Sequence, residues 1–229
     1  MKRFYKQAAA RAVGGGVTIE LDGRPVKTPA RAGLIVPTEE LAEAIAAEWN
    51  GQGEQIDPRT MPLTGLANAA IDRVAPDADS FAGGLAAYAE SDLLCYRADG
   101  PQPLVARQAE RWDPLLAWAE RRFGVAFTLA TGVMHRPQPP ETVARLGAEI
   151  RARDPFRLAA MSPLVTISGS IVIALALAEG EIRLGDAWAA ATLDEAWQAE
   201  QWGEDALAAQ ALAAREQDFD AAYQFLTLL

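Results

Sequence analysis

One cysteine and one histidine stand among 229 residues, and those two scarcities exclude much chemistry at once. A lone cysteine closes no internal disulfide, and a Cys/His zinc site needs more ligands than Cys95 and His135 can supply. A reducing compartment fits that usage. Basic residues are also short: 21 Lys and Arg face 31 Asp and Glu, a formal charge of -10 with a pI near 4.7. Such a balance opposes a nucleic-acid backbone, so no nucleic-acid partner is expected. The opening Met-Lys-Arg-Phe-Tyr-Lys has basic residues with no apolar stretch behind them, hence no secretory signal is expected. A charge-free run over 158–178 is long enough to span a bilayer. Yet Ser162, Pro163, Thr166, Ser168, Gly169 and Ser170 interrupt it, and a buried helix of a helical domain is expected instead of membrane insertion.

Half of the residues are hydrophobic, so the chain has the means to bury one large core or two small ones. Val17, Ile19 and Leu21 alternate with polar residues and run into Asp22-Gly23, a dipeptide suited to a tight hairpin turn. Leu34 to Val36 can add a strand. The period then changes: Thr38 can cap a helix, Glu39 and Glu40 suit its first turn, and Leu41, Ile45 and Trp49 recur every four residues. Beyond Pro58 strand alternation fades and Ala, Leu and Glu dominate. The spacing predicts helices over 62–74, 78–95, 102–123, 140–152, 156–178, 185–202 and 204–227, with a possible short strand over 125–129. The fold class is α+β: a small mixed alpha/beta domain with an antiparallel hairpin over 1–60, then a larger all-helical domain over 61–229.

Catalytic signals are weak. A triad must use His135, and a Cys95–His135 pair would need a reactive thiolate, whereas Cys95 sits in the apolar run Leu93-Leu94-Cys95-Tyr96. Gly14 to Gly16 precede a strand instead of joining strand to helix, so they read as a turn and not a phosphate cradle. Ser168-Gly169-Ser170 lacks the setting of a nucleophile elbow. No enzyme activity, cofactor or metal is expected. One stretch stands out: on a continuous helix over 185–202, Trp188, Glu195 and Trp202 share a stripe, because positions seven apart nearly eclipse. Two readings fit it. Either the tryptophans are core and Glu195 pairs internally with an arginine, or the stripe is an interface in which aromatics and a carboxylate meet a partner.

Several segments together resemble one family. They are Phe4-Tyr5-Lys6, the run Leu21 to Pro29, Leu34 to Thr38, Glu48-Trp49, Met61 to Thr64 and Ala70-Ile71-Asp72. Ser91 to Arg97, Gln108, Trp112 to Leu115 and Gln201-Trp202-Gly203 complete the set. In order and spacing they are similar to the assembly chaperones that hold the alpha subunit of F-type ATP synthase. The resemblance implies a non-catalytic, cofactor-free protein, expected as a monomer, that protects free alpha until beta replaces it. It also implies an important acid in the helix before Trp202-Gly203, best assigned to Glu195, with Asp194 and Glu200 as alternatives. Trp188 and Trp202 are then partner-binding candidates, and Trp49 a structural or interface residue. Eukaryotic relatives act in mitochondria; here a bacterial cytoplasm is expected. The competing reading is a small-molecule-binding protein or enzyme with a pocket between the two domains.

Overall fold

The computed structural model describes residues 1–132, 134–203 and 205–229. The chain forms two compact units, one of Met1–Ala78 with Asp154–Ala160 and Ala221–Leu229, the other of Asp79–Arg153 with Met161–Asp220.

In the first unit, β1 (Ala8–Val13), β2 (Gly16–Leu21), β3 (Arg24–Pro25) and β4 (Ile35–Val36) form an antiparallel sheet centred on β2. Asp22 and Gly23 both take positive φ, 49° and 81°, and turn β2 into β3 as their sequence predicts. At the other end Gly16 is obligatory, since a Cβ there would lie 2.4 Å from the Val36 carbonyl oxygen. Sequence patterning gives no hint of β1, whose Ala-Ala-Ala-Arg-Ala-Val has poor strand propensity. It forms because all six of its residues, Ala8 to Val13, register against Leu21 back to Gly16.

Thr38 caps α1 (Glu39–Asn50) through the Leu41 amide, and Leu41 and Ile45 are fully buried. α2 (Pro62–Ala69) continues as a π turn through Val74. Its Leu63 and Ala67 join the same core as Ile19, Leu34 and Leu41, as do Ala160 and Phe225 from much later in the chain. The unit therefore differs from the 1–60 segment expected: apolar groups of α2 and of the carboxy-terminal end complete a core that the small sheet and α1 are too small to close.

The second unit is helical. It contains α3 (Ala78–Ala86) from its second residue, α4 (Gln102–Phe123) and α5 (Pro140–Arg151). α6 (Pro155–Ser168) enters it at Met161 and is followed by α7 (Ile171–Ala178), α8 (Leu184–Ala191), α9 (Leu193–Trp202) and α10 (Ala206–Thr227) as far as Asp220. The predicted span of α4 matches, and Gly124 ends it in the left-handed conformation. The strand expected over 125–129 does not form there; the segment is irregular and only the next two residues pair, as β6 (Ala130–Thr131), parallel to β5 (Tyr96–Arg97). Three expected helices are broken: the 78–95 run is α3, a 3-10 stretch over Ala87–Glu90 and, past Ser91 and Asp92, a separate 3-10 turn over Leu93–Cys95, and two others are each two helices. The 156–178 run breaks at Gly169, φ 67°, after which Ser170 caps α7 through the Ile173 amide. No helix among the described residues is long and apolar enough to cross a membrane. The 185–202 run breaks at Thr192, whose backbone leaves the helical region at φ -109° and ψ 15°. Residue 204, the expected start of the last helix, lies outside the described residues.

Candidate functional site

The break at Thr192 removes the basis of the tryptophan stripe, since eclipsing at seven-residue spacing requires one unbroken helix. Thr192 is buried and its hydroxyl donates to the Trp188 carbonyl at 2.8 Å, closing α8. Trp188 is half-buried and packs on Phe219 of α10, ring centroids 5.5 Å apart. Trp202, at the end of α9, is 79% exposed. One candidate tryptophan thus packs inside the unit, while the other faces solvent.

The three candidate acids on α9 have different partners. Asp194 accepts a 2.8 Å hydrogen bond from Gln108 Nε2, and the Oε1 of the same amide accepts from the Ala98 N–H. Trp112 of α4 donates its indole N–H to the Ala190 carbonyl at 2.9 Å. Gln108 and Trp112 are both buried, so Asp194 belongs to the seam that fixes α8 and α9 against α4. Glu200 pairs with Arg107 at 2.7 Å, and that guanidinium lies 4.8 Å from the Trp197 ring centroid. Its carboxyl is held below its ordinary range by the Arg107 hydrogen bond. Glu195 pairs with Arg215 of α10 at 2.8 Å, with half of each side chain or nearly so still open to water. Of the three, only Glu195 lines a groove of about 440 Å3. Its walls are Glu195, Ala199 and Trp202 from α9 and Ala208, Leu212 and Arg215 from α10. Alanines, Leu212 and Trp202 together with Gln198, Asp205 and the Glu195–Arg215 pair give the groove apolar surface and polar handles, a form suited to a polypeptide segment.

Other singled-out residues serve the interior. Asp92 is fully buried and accepts from the Leu94 amide at 3.0 Å, the Ser170 hydroxyl at 2.9 Å and the Val172 amide at 3.1 Å, tying a short helical turn (Leu93–Cys95) to the start of α7. Burial pushes its carboxyl up to about 6 against the pull of those bonds. Cys95 is buried beside it, and desolvation followed by the Asp92 charge raises the thiol to about 12, the state of a packed cysteine. Exposed His135 meets the Tyr96 hydroxyl at 2.9 Å through Nδ1. Arg97 pairs with Asp113 at 2.7 Å and donates to the Leu94 carbonyl.

In the first unit, Glu48 receives the Leu63 and Thr64 amides and the Thr64 hydroxyl at 2.7–2.8 Å, capping α2 with a carboxylate borrowed from α1. Trp49, next to it, is half-buried, packs edge-on against Tyr5 at 5.6 Å, and accepts the Tyr5 hydroxyl on its carbonyl at 2.7 Å. Its indole N–H is buried without an acceptor. Sequence reasoning missed Arg3, which donates to four carbonyls, those of Tyr5, Lys6, Asn50 and Gln52. No spacing signal marks such a clamp, because its acceptors are backbone atoms.

A small antiparallel sheet with a covering helix, followed by helices, defines an α+β protein, and its α9–α10 pair presents a groove. Residues 2–120 match the profile of the ATP12 chaperone protein family. The chain is 42% identical to Atp12 of Paracoccus denitrificans and superimposes on its crystal structure with a TM-score of 0.95, covering 99% of this chain and 97% of that one. An aspartate-to-lysine variant of the same Paracoccus protein matches equally well. A candidate chaperone from Agrobacterium tumefaciens is 45% identical, with a TM-score of 0.95 over 99% of this chain and 85% of that one. Mitochondrial atp12 of Schizosaccharomyces pombe is 28% identical over 214 residues, 88% of this chain and 74% of the relative. This chain belongs to the ATP12 chaperone family.

Proposed function

We propose that the protein captures the free alpha subunit of an F-type ATP synthase and shields it until the beta subunit takes its place. A ring subunit without its neighbour exposes apolar surface that associates wrongly, and a reversible cover prevents this without chemistry. No catalysis and no cofactor belong to this reading. It places the protein in a bacterial cytoplasm, acting as a monomer; that similar proteins come from the bacteria Paracoccus and Agrobacterium supports the bacterial part of that setting. The observation that carries the contact is the α9–α10 groove, where Glu195 stands near a tryptophan that is 79% exposed. Trp202 is the apolar anchor and Glu195 the charged handle, while Trp188 braces α10 through Phe219. Asp194 and Glu200, held by Gln108 and Arg107, position α9.

Co-expression with tagged alpha subunit, followed by pull-down and a parallel thermal melt, tests the reading. Glu195→Lys is expected to lose capture, since reversing a charge at a contact of this kind commonly costs about 2–5 kcal/mol of binding. Its melting temperature should scarcely move, because a half-exposed ion pair contributes about 0–1 kcal/mol to stability. Full capture by Glu195→Lys and by Trp202→Ala together would remove the groove from the contact, and failure of the parent protein to capture alpha would overturn the function.

A further inference from the structure

The sequence is acidic as a whole, but its charge is divided. Residues 1–38 carry seven Lys or Arg against two acids, a net +5, and residues 39–229 carry the remaining -15. All three lysines, Lys2, Lys6 and Lys27, lie in that first stretch. On the folded first unit this basic stretch borders a concave site of about 570 Å3, distinct from the α9–α10 groove. Its inner wall is apolar and aromatic: Tyr5, Leu21, Val26 and Trp49. At the edge Phe4 is 67% exposed, an unusual position for a phenylalanine, and packs edge-on against Tyr5 at 5.4 Å.

Arg24 and Lys27 also line the site, are exposed, and form no ion pair among the described residues. Of the two acids of the region, Glu20 is paired with an arginine and Asp22 lines the hollow itself. Glu20 faces Arg11 at 3.5 Å. Asp22 accepts the Lys6 and Gln7 amides at 3.0–3.2 Å, bonds that hold its carboxyl below the ordinary carboxylate range. Two cations without an ion pair among the described residues, against the single amide-bound carboxylate of Asp22 in the lining, leave the aromatic hollow with a net positive edge and an exposed phenylalanine beside it.

We propose that this hollow is a second docking site, which takes an acidic protein segment carrying an apolar side chain. The apolar side chain inserts against Tyr5 and Trp49, and the flanking carboxylates meet Arg24 and Lys27. A concave, walled site favours an inserted side chain over the flat face of a bilayer, although both chemistries are anionic and apolar. The site lies within the first unit and does not depend on which client the groove on α9 and α10 accepts.

The full chain, labelled with 15N, is titrated with three dodecapeptide probes. One has a central Leu-Phe flanked by Asp and Glu, the second has Lys and Arg in place of the acids, and the third has Ser in place of Leu-Phe. Vesicles of phosphatidylglycerol form a fourth arm. Saturable shifts of the Phe4, Arg24 and Lys27 amides and of the Trp49 indole N–H are expected with the first probe alone, weakening as salt is raised. Arg24→Glu with Lys27→Glu should weaken that binding by roughly tenfold or more, and Phe4→Ser should weaken it with the charges intact. All these side chains are exposed, and melting curves of the variants confirm that they fold. Absence of saturable shifts at about 1 mM of the first probe, equal binding of the basic or serine probe, or preferential binding to vesicles would each overturn the proposal.

Discussion

At the scale of single residues, two buried or half-buried polar groups carry consequences that can be measured. Asp92 is the sharper case. The folded protein holds its proton more tightly than the unfolded chain does, with a carboxyl raised from 3.8 to about 6. Its contribution to stability is therefore fully present below about pH 4 and is lost as pH rises through about 6. Asp92→Asn removes that dependence, but its amide group opposes donors at Ser170 and Val172, so the variant is less stable than the parent throughout. The gap between their melting temperatures should narrow from about pH 4 to about pH 7, and a gap that widened would contradict the raised carboxyl. Trp49→Arg exchanges an indole packed on Tyr5 and on the sheet core for a guanidinium. A loss of about 2–4 kcal/mol is expected from large-to-polar changes at packed sites. A variant that melted like the parent would contradict a core role, and one that also lost capture of alpha would move Trp49 to the interface.

At the scale of elements, the family segments turn out to be junctions between secondary structures. Glu48 joins α1 to the first turn of α2 through three hydrogen bonds. Because its carboxyl replaces a local cap, Glu48→Ala leaves the Leu63 and Thr64 amides without their acceptor. A loss of about 1–3 kcal/mol is expected, read in a urea melt, with hydrogen exchange at Leu63 and Thr64 accelerated ahead of the rest of the unit. Desolvation raises the Glu48 carboxyl above its ordinary range against the Thr64 hydrogen bonds, so the bonds offset burial instead of exceeding it. The same logic runs through the second unit, where Gln108 and Trp112 of α4 hold Asp194 and Ala190 across the break at Thr192. Breaking one long helix into α8 and α9 lets Trp188 pack inward while α9 presents Glu195 and Trp202 to the groove.

At the scale of the whole molecule, the division of charge sets what the protein can attract. Residues 39–229 hold a net -15 and residues 1–38, with the sheet, a net +5, so long-range attraction differs between the two regions and weakens with salt. Nucleotides should find no site. The glycines at 14–16 turn one strand into the next, Gly16 lying against Val36, with no helix amino terminus after them to hold phosphate. Isothermal titration with ATP and ADP should show no saturable heat, and micromolar binding of either would contradict this.

By itself the sequence determined what depends on neighbours along the chain. The Asp22-Gly23 turn, the Thr38 cap with its Leu41 and Ile45 stripe, the span of α4 and the α+β class all follow from local propensity and periodicity. So does the division of charge. The tertiary structure decided the rest because those outcomes depend on partners distant in sequence. β1 exists through its register with β2, despite alanines that would not choose a strand. The breaks at Gly169 and Thr192 follow from burial and capping that no helical period reveals. Three acids within seven residues look alike in sequence; Gln108, Arg215 and Arg107 distinguish them, since a carboxylate's role is set by what meets it across the fold and how much water remains around it.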